Sequence, residues 1–241
     1  MTGRGGLDRS LGGKGAAAVL GASGGIGAAL VAALEAEGGW RRVIGLSRRC
    51  DPAVDITEEA SLAAAASRLE AKAPDLALVI VATGFLHDER FQPEKAMRQL
   101  DPDHLAKSFA VNAMGPALAM KHLLPRLRRD TPAVFAVLSA RVGSIGDNRL
   151  GGWWSYRASK AALNQIVRTA AVELRRANPS AAVVAIHPGT VETGLSSPFS
   201  RAGLEVQSPA AAAARILAVL DGLGPSQSGG FFDHKGAPVA W

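Results

Sequence analysis

The chain has 241 residues, is 48% hydrophobic and carries a formal net charge of +6. This length and apolar content suit one large α/β domain with an ample core. The basic residues are scattered, and no basic stripe with interleaved aromatic residues is present. This pattern disfavours nucleic acid as a partner and favours a small anionic ligand.

Cys50 is the single cysteine, so no intrachain disulfide can form, which is typical of a reducing cytoplasm. No apolar run approaches the roughly 20 residues of a membrane span. The stretch 1–14 is rich in glycine and lacks the apolar centre of a signal peptide. We therefore expect a loose N-terminal tail over 1–14 and a single cytoplasmic domain over 15–241, with no membrane partner.

Short apolar runs alternate with longer helical patterns along the chain. The predicted strands are 16–20, 43–46, 54–56, 76–81, 133–138, 182–186 and a last one that begins at 231. The predicted helices are 26–37, 58–71 with Thr57 as its N-cap, one from 101 toward 128 with a possible kink at Pro116, 156–178 and 209–220. This alternation predicts a doubly wound, mostly parallel sheet of seven strands with helices on both faces.

A glycine-rich turn joins the first predicted strand to the first predicted helix. Its spacing is Gly-x-x-x-Gly-x-Gly from Gly21 to Gly27. Such a turn lets a pyrophosphate approach the helix N-terminus, where free N–H groups favour anions, although a merely flexible turn is the alternative. The predicted contacts of a dinucleotide here are Gly21, Ser23, Gly25, Ile26 and Gly27.

The second predicted strand ends at Ser47 and Arg48, where an acidic residue would select NAD through its ribose hydroxyl. A serine and an arginine would instead complement a 2′-phosphate, which predicts NADP(H). A solvated basic loop is the alternative, and Asp51 nearby keeps NAD possible. Asp55 follows the third predicted strand and has two interpretations, a hydrogen bond to adenine or the cap of the next helix.

Tyr156 and Lys160 are four residues apart in a long helical pattern, so they share one face of the helix. An ammonium beside a phenol favours the phenolate and lowers the tyrosine pKa, which would suit an acid or base near neutral pH. Taken alone, the spacing fits an exposed tyrosine stacked on a lysine stem better than a catalytic pair. The position of the pair after a predicted strand and a glycine-rich loop favours a catalytic role.

In their order along the chain, the glycine turn, Asp55, Asn112, Ser139, the Tyr156–Lys160 pair and Pro188-Gly189 resemble the short-chain dehydrogenase/reductase family, in its single-domain branch. The stretches 139–145 and 151–160 and the tail at 231–233 resemble its sniffer-type carbonyl reductases and C-factor-like proteins. The resemblance extends from about residue 16 to residue 241 and implies a Rossmann fold that binds NADP(H).

The resemblance also implies a role for each catalytic candidate. Tyr156 would be the general acid/base, Lys160 would hold the nicotinamide ribose, and Asn112 would anchor a water that links Lys160 to solvent. A serine would orient the substrate carbonyl, and we assign this role to Ser139. Many family members have paired serines here, but this chain has Ala140 at the second position, and Ser144 is the substitute to consider.

The cofactor wall predicted from the resemblance has one departure from the family. Where the family usually has Asn-Asn-Ala-Gly, this chain has Val-Ala-Thr-Gly over 81–84, which keeps the glycine and lacks the asparagine side chains. Thr193 would bond the nicotinamide carboxamide. The further predicted contacts are Ile56, Ala82, Gly84, Pro188, Gly189 and Val191.

Together these features predict NADPH-dependent, reversible reduction of a small aldehyde or ketone. The rival hypothesis is a C-factor-like signalling protein that binds NADP(H) without needing turnover. The five histidines show no metal-binding spacing. By analogy with the family we expect a homodimer or a larger homo-oligomer. The apolar wall of the pocket would include Phe85, Leu195, Phe199 and one of Trp153 and Trp154, with 194–207 as a lid.

Overall fold

A computed structural model describes residues 15–196, 199 and 206–241. The predicted tail and most of the predicted lid lie outside the described residues. The strands are β1 (Ala16–Leu20), β2 (Arg42–Leu46), β3 (Leu76–Val81), β4 (Ala133–Leu138), β5 (Ala181–His187), β6 (Thr190–Val191), β7 (Val206–Gln207) and β8 (Phe231–Asp233).

The main sheet has the order β2-β1-β3-β4-β5-β8, and each of these neighbouring pairs is parallel. Its order reverses at β1, because β2 and β3 lie on opposite sides of that strand. Ligands of doubly wound sheets bind beyond the carboxyl ends of the strands at such a reversal. A separate pair, β6 and β7, lies after β5 in the chain.

The fold class is confirmed, but over the described residues the main sheet has six strands instead of the predicted seven. The difference is the predicted strand over 54–56, which is a loop. Asp55 turns the chain there, because its Oδ1 accepts hydrogen bonds from the backbone N–H and the hydroxyl of Thr57 at 2.9 and 2.7 Å. Val54 and Ile56 still bury their side chains in the core.

The helices are α1 (Gly25–Glu37), α2 (Glu59–Lys72), α3 (Pro102–Phe109), α4 (Gly115–Leu123), α5 (Trp154–Ala177) and α6 (Pro209–Asp221). One face of the sheet packs against α2, α4 and α5, and the other face packs against α1 and α6. Strands β1, β3 and β4 are buried along their whole length, which explains their continuous apolar sequences. The N-cap of α2 is Glu58 and not the predicted Thr57.

The predicted helix from 101 toward 128 is interrupted. Between α3 and α4 the backbone widens into a π-helical turn, Ala110–Met114, which contains Asn112. Pro116 is at the start of α4 and has no backbone N–H, so it cannot donate to the Asn112 carbonyl as an α-helix would require. Single π-helical turns of this kind are frequent at functional sites.

Candidate active site

Tyr156 and Lys160 lie on one face of α5 and are both buried. The Lys160 Nζ is 5.8 Å from the centroid of the Tyr156 ring, and it donates a hydrogen bond of 2.8 Å to the Leu138 carbonyl at the end of β4. Only 8% of Tyr156 and 2% of Lys160 is exposed to solvent. The alternative of an exposed surface pair is therefore excluded.

Burial dominates the electrostatics of this pair. It raises the pKa of Tyr156 above its ordinary value and lowers the pKa of Lys160 to about 7. Both shifts follow from the cost of placing a charge in a medium of low polarity. The sequence predicted a lowered tyrosine pKa, whereas this pocket keeps the phenol protonated. A protonated phenol can give its proton to a carbonyl oxygen.

Asn112 joins the loop after β3 to α5. Its Oδ1 accepts from the Phe85 N–H at 2.8 Å, and its Nδ2 donates to the Phe85 carbonyl at 2.8 Å and to the Ser159 hydroxyl at 3.1 Å. Ser159 immediately precedes Lys160 in the chain. The buried asparagine therefore fixes the distance between Phe85 and the middle of the Tyr156–Lys160 turn.

The serine candidates have other partners. The Ser139 hydroxyl donates to the Oδ1 of Asn164 at 2.6 Å, and the Ser144 hydroxyl accepts from the Asp147 N–H at 3.1 Å. Ala140 instead belongs to the apolar cluster that contains Tyr156. Successive residues of an extended chain point in opposite directions. The Ser139 side chain accordingly meets Asn164 of α5, while the Ala140 side chain packs in the cluster around Tyr156 of the same helix. The role predicted for Ser139, to orient the substrate carbonyl, stays a prediction.

An apolar wall surrounds Tyr156. The Trp153 ring meets the Tyr156 ring edge-on at 6.2 Å and the Phe199 ring at 5.6 Å. Phe85, which the sequence suggested for this wall, holds the Lys107 ammonium over its ring at 4.7 Å, and Leu86 packs in the cluster instead. The residues of the wall are Leu86, Ala140, Val142, Trp153, Leu195 and Phe199.

The glycine turn leaves no room for side chains at Gly25 and Gly27. A Cβ on Gly27 would lie 2.1 Å from the Gly21 carbonyl oxygen, and one on Gly25 would lie 2.9 Å from the Thr193 side chain. The N-terminus of α1 has neither a side-chain cap nor an acidic residue in its first turn. Its N–H groups can therefore bind an anion, as the pyrophosphate of a dinucleotide requires.

Three chain segments converge beside this turn. Gly21 approaches the backbone of Ala82 at 3.0 Å, measured from the position that a Cβ would take. A Cβ on Gly84 would lie 3.8 Å from the Asn112 Oδ1 and 3.5 Å from the Leu195 side chain. The Thr83 Oγ1 is buried and has no hydrogen-bond partner among the described residues, so it can serve a ligand. We infer from these contacts that the turn and the Tyr156 helix, which Asn112 joins to the loop after β3, border one cleft at the carboxyl ends of β1 and β3.

A family model described as short chain dehydrogenase matches residues 15–202. The chain belongs to the short-chain dehydrogenase family. C-signal of Myxococcus xanthus is 38% identical over 148 residues, which are 61% of this chain and 84% of that protein. The 1-hydroxy-2-glutathionyl-2-methyl-3-butene dehydrogenase of Rhodococcus sp. strain AD45 is 32% identical over 191 residues, which are 79% of this chain and 80% of that protein.

Solved structures show the same fold. The carbonyl reductase Sniffer of D. melanogaster superposes with a TM-score of 0.82 at 21% identity over 95% of this chain and 100% of that one. A short-chain dehydrogenase/reductase from Burkholderia multivorans with bound NADP superposes with a TM-score of 0.76 at 27% identity over 95% and 100% of the two chains. The resemblance and the fold predicted from the sequence are confirmed.

The predicted adenosine side of this short-chain dehydrogenase is polar and open. The Ser47 hydroxyl accepts from the Arg49 N–H at 3.1 Å, which shapes the turn after β2 and leaves Arg48 exposed. Hydrogen bonds from the backbone and side chain of Thr57 lower the pKa of Asp55, and the positive charge of Arg48 contributes to this shift. The Asp55 carboxylate caps the turn at Thr57 and not the N-terminus of α2, and its predicted hydrogen bond to adenine stays a prediction.

The segment after β5 closes the other side of the cleft. Gly189 has a φ of +80°, and the Pro188 carbonyl accepts from the Gln207 Nε2 at 2.6 Å. Val191 is buried in β6, and the Thr193 side chain lies beside Gly25 in the turn. The dehydrogenase therefore brings the predicted nicotinamide segment and the predicted pyrophosphate turn together.

Within the described part of the chain, no cluster of three His, Cys, Asp or Glu residues is arranged to hold a metal ion. None of the helices described is long and apolar enough to cross a membrane.

Proposed function

We propose that this chain reduces a small aldehyde or ketone to the alcohol with NADPH and catalyses the reverse oxidation. The observation that carries the proposal is the burial of Tyr156 beside Lys160, on the helix that Asn112 joins to the loop beside the glycine turn. A relative that is 32% identical over 79% of this chain is a dehydrogenase, which supports the same class of reaction.

The chain's own residues supply the proton and the environment. When bound, NADPH supplies the hydride to the carbonyl carbon. Tyr156 donates its phenolic proton to the carbonyl oxygen, and Lys160 stabilises the phenolate that remains. Lys160 would also hold the nicotinamide ribose, while Asn112 fixes the helix around it. The apolar wall excludes water and favours substrates without a charged group.

The geometry supports a different role for Ser139 from the one first predicted. We propose that Ser139 acts through Asn164, whose Nδ2 donates to the Gly143 carbonyl at 3.4 Å, and so holds the loop beside α5. Gly143 has no space for a side chain, because a Cβ there would lie 2.7 Å from the Lys160 Cβ. The substrate oxygen then relies on Tyr156 for its hydrogen bond.

NADP(H) is the cofactor that the site supports. The turn after β2 contains Arg48 and lacks an acidic residue at the end of the strand, so it complements a 2′-phosphate. The structure at 27% identity holds NADP. We expect Arg48→Glu to raise the KM for NADPH at least tenfold and to change the KM for NADH little. An equal effect on both cofactors would contradict this assignment.

The proposed chemistry is tested with Tyr156→Phe. Loss of the phenolic proton should lower kcat for a panel of carbonyl compounds by about 10²–10⁴-fold. NADPH binding, followed by its fluorescence, should stay within twofold. The matched control is Trp154→Phe in the same helical turn, where the side chain is 37% exposed and outside the Tyr156 cluster. Turnover that survives Tyr156→Phe would refute the mechanism.

The rival signalling role makes a different prediction for the same variants. The 38% identity to C-signal motivates this comparison. The valine side chain of Gly25→Val would occupy the space in the glycine turn. If turnover matters, Gly25→Val and Tyr156→Phe should abolish a biological effect equally. If binding alone matters, only Gly25→Val should abolish it. The intact set of Tyr156, Lys160 and Asn112 supports turnover.

We further propose that the chain acts in the cytoplasm as a homodimer. Its single cysteine supports a reducing compartment. A groove of about 470 Å³ between α4 and α5, lined by apolar residues such as Met120, Leu124 and Ile166, offers a surface for a second copy. This groove shares no lining residue with the Tyr156 cluster. Sedimentation of the protein and of Ile166→Arg should show a dimer and a monomer, respectively, and a monomeric parent protein would contradict the proposal.

A further inference from the structure

The helix that contains Tyr156 begins without a cap of its own. Its N-cap residue is Trp153, which has a left-handed backbone with φ 52° and makes no side-chain cap hydrogen bond. The first turn of α5 contains no acidic residue. Four N–H groups at a helix start need partners, and buried ones are costly to leave unpaired. Tyr156 is in this first turn, so its position depends on what supplies them.

The missing partner is Glu94, from the loop that follows β3. Its Oε2 accepts from the Ser155 N–H at 3.2 Å, its Oε1 accepts from the Ser155 hydroxyl, and its carbonyl accepts from the Trp153 N–H at 2.5 Å. Glu94 is 2% exposed and Ser155 is fully buried. A carboxylate at a helix N-terminus is further stabilised by the helix dipole.

A second element holds Glu94 in turn. The His104 Nδ1 is 3.1 Å from the Glu94 Oε1, and this ring is as buried as the carboxylate. The ring stacks on Phe91 at 5.0 Å between centroids, and the Asp101 side chain accepts from the His104 backbone N–H at 2.9 Å. Helix α3 therefore fixes the carboxylate that fixes the start of α5.

We propose that Glu94 is a positioning residue that holds the first turn of α5 and thereby sets the place of the Tyr156 hydroxyl in the cleft. The proposal rests on the proposed function, in which Tyr156 is the proton donor. Ser155, which makes two of the three contacts, immediately precedes Tyr156 in the chain. Misplacement of a reacting group by about 1 Å can cost about 10²-fold in rate.

The test compares Glu94→Ala and Glu94→Gln with Asn178→Ala. Asn178 is a matched control because it is also buried and its side chain donates to the Arg128 carbonyl at 2.9 Å, but at the opposite end of the 24-residue α5. The value of kcat is calculated from the concentration of sites that bind NADPH, so unfolded protein does not lower it.

We expect Glu94→Ala to lower kcat per binding site by about 10- to 100-fold and to leave the KM for NADPH within twofold. Glu94→Gln keeps one acceptor for Ser155 and should lose about three- to tenfold. Asn178→Ala should lower thermal stability and leave kcat per site unchanged. Equal kcat losses per site in Glu94→Ala and Asn178→Ala would overturn the proposal.

A second measurement does not depend on turnover. Tyr156 is the single tyrosine of the chain, so protein labelled with ¹³Cζ-tyrosine gives one reporter signal. This signal should move or broaden in both Glu94 variants and stay in place in Asn178→Ala. If the parent protein reduces no carbonyl compound, the proposed function fails, and this signal alone decides the Glu94 proposal. An unmoved signal in folded Glu94→Gln would overturn it.

Discussion

Replacement of Lys160 by methionine should make the cofactor-free protein more stable while it abolishes turnover. The Lys160 side chain is almost completely buried, and burial lowers its pKa from 10.5 to about 7. Between these two values the unfolded chain binds a proton that the folded protein does not bind. The free energy of unfolding therefore rises with pH from about 7 to 10.5 and falls as the pH is lowered through this window.

The size of the effect follows from the same two values. At pH 8 the buried lysine has given up its proton, and this costs about 3 kcal/mol relative to a lysine whose pKa is 10.5. Methionine has a similar length and removes that cost. Loss of the hydrogen bond to the Leu138 carbonyl lowers the free energy of unfolding by about 1 kcal/mol. The net expectation is a gain of about 2 kcal/mol in the free energy of unfolding at pH 8.

Urea unfolding of the cofactor-free protein at pH 7, 8 and 9 measures this gain. The rise in stability with pH should be smaller in Lys160→Met than in the parent protein. Lys72→Met, at the exposed end of α2, is the matched control and should keep the parent's pH dependence. Parallel pH dependences in the parent and Lys160→Met, or a less stable Lys160→Met at pH 8, would refute the assignment of a desolvated amine.

Three further expectations address the turn, the substrate oxygen and the core. Gly27→Ala, which would put a Cβ 2.1 Å from a backbone carbonyl, should lower the free energy of unfolding by about 1–3 kcal/mol and weaken NADPH binding, whereas Gly194→Ala, with nothing within 4 Å, should do neither. Ala140→Ser, which adds a hydroxyl beside Tyr156, should raise kcat/KM for carbonyl substrates about tenfold, and an unchanged value would show that this position does not face the substrate. Burial, followed by the charge of Arg141, lowers the pKa of His187 from 6.5 to about 4, so stability should fall by up to about 3 kcal/mol from pH 6.5 to 4, and His187→Gln should lose this dependence in urea titrations.

Several features of this protein follow from local sequence alone. Apolar runs that alternate with helical patterns predicted the parallel sheet, because strand burial and helix periodicity are properties of short segments. The spacing of Tyr156 and Lys160 predicted a shared helical face for the same reason. The glycine-rich turn between the first strand and the first helix was also predicted, and a Cβ on Gly27 there would lie 2.1 Å from the Gly21 carbonyl oxygen. The approach of a pyrophosphate to this turn stays a prediction.

Other features depended on contacts between distant segments. The loop over 54–56 has residues typical of a strand, but it pairs with no strand of the sheet among the described residues. Local sequence predicted that an ammonium would lower the pKa of Tyr156, whereas the assembled core buries the ring and raises it, because desolvation outweighs a neighbour that is itself desolvated. Glu94 gave no signal in the sequence, since its role arises only when the loop after β3 meets the start of α5. The sequence by itself determined which groups are present and how they are spaced along each helix. Only the tertiary structure decided which of them lose water and which partners they meet, because both depend on the packing of the whole chain.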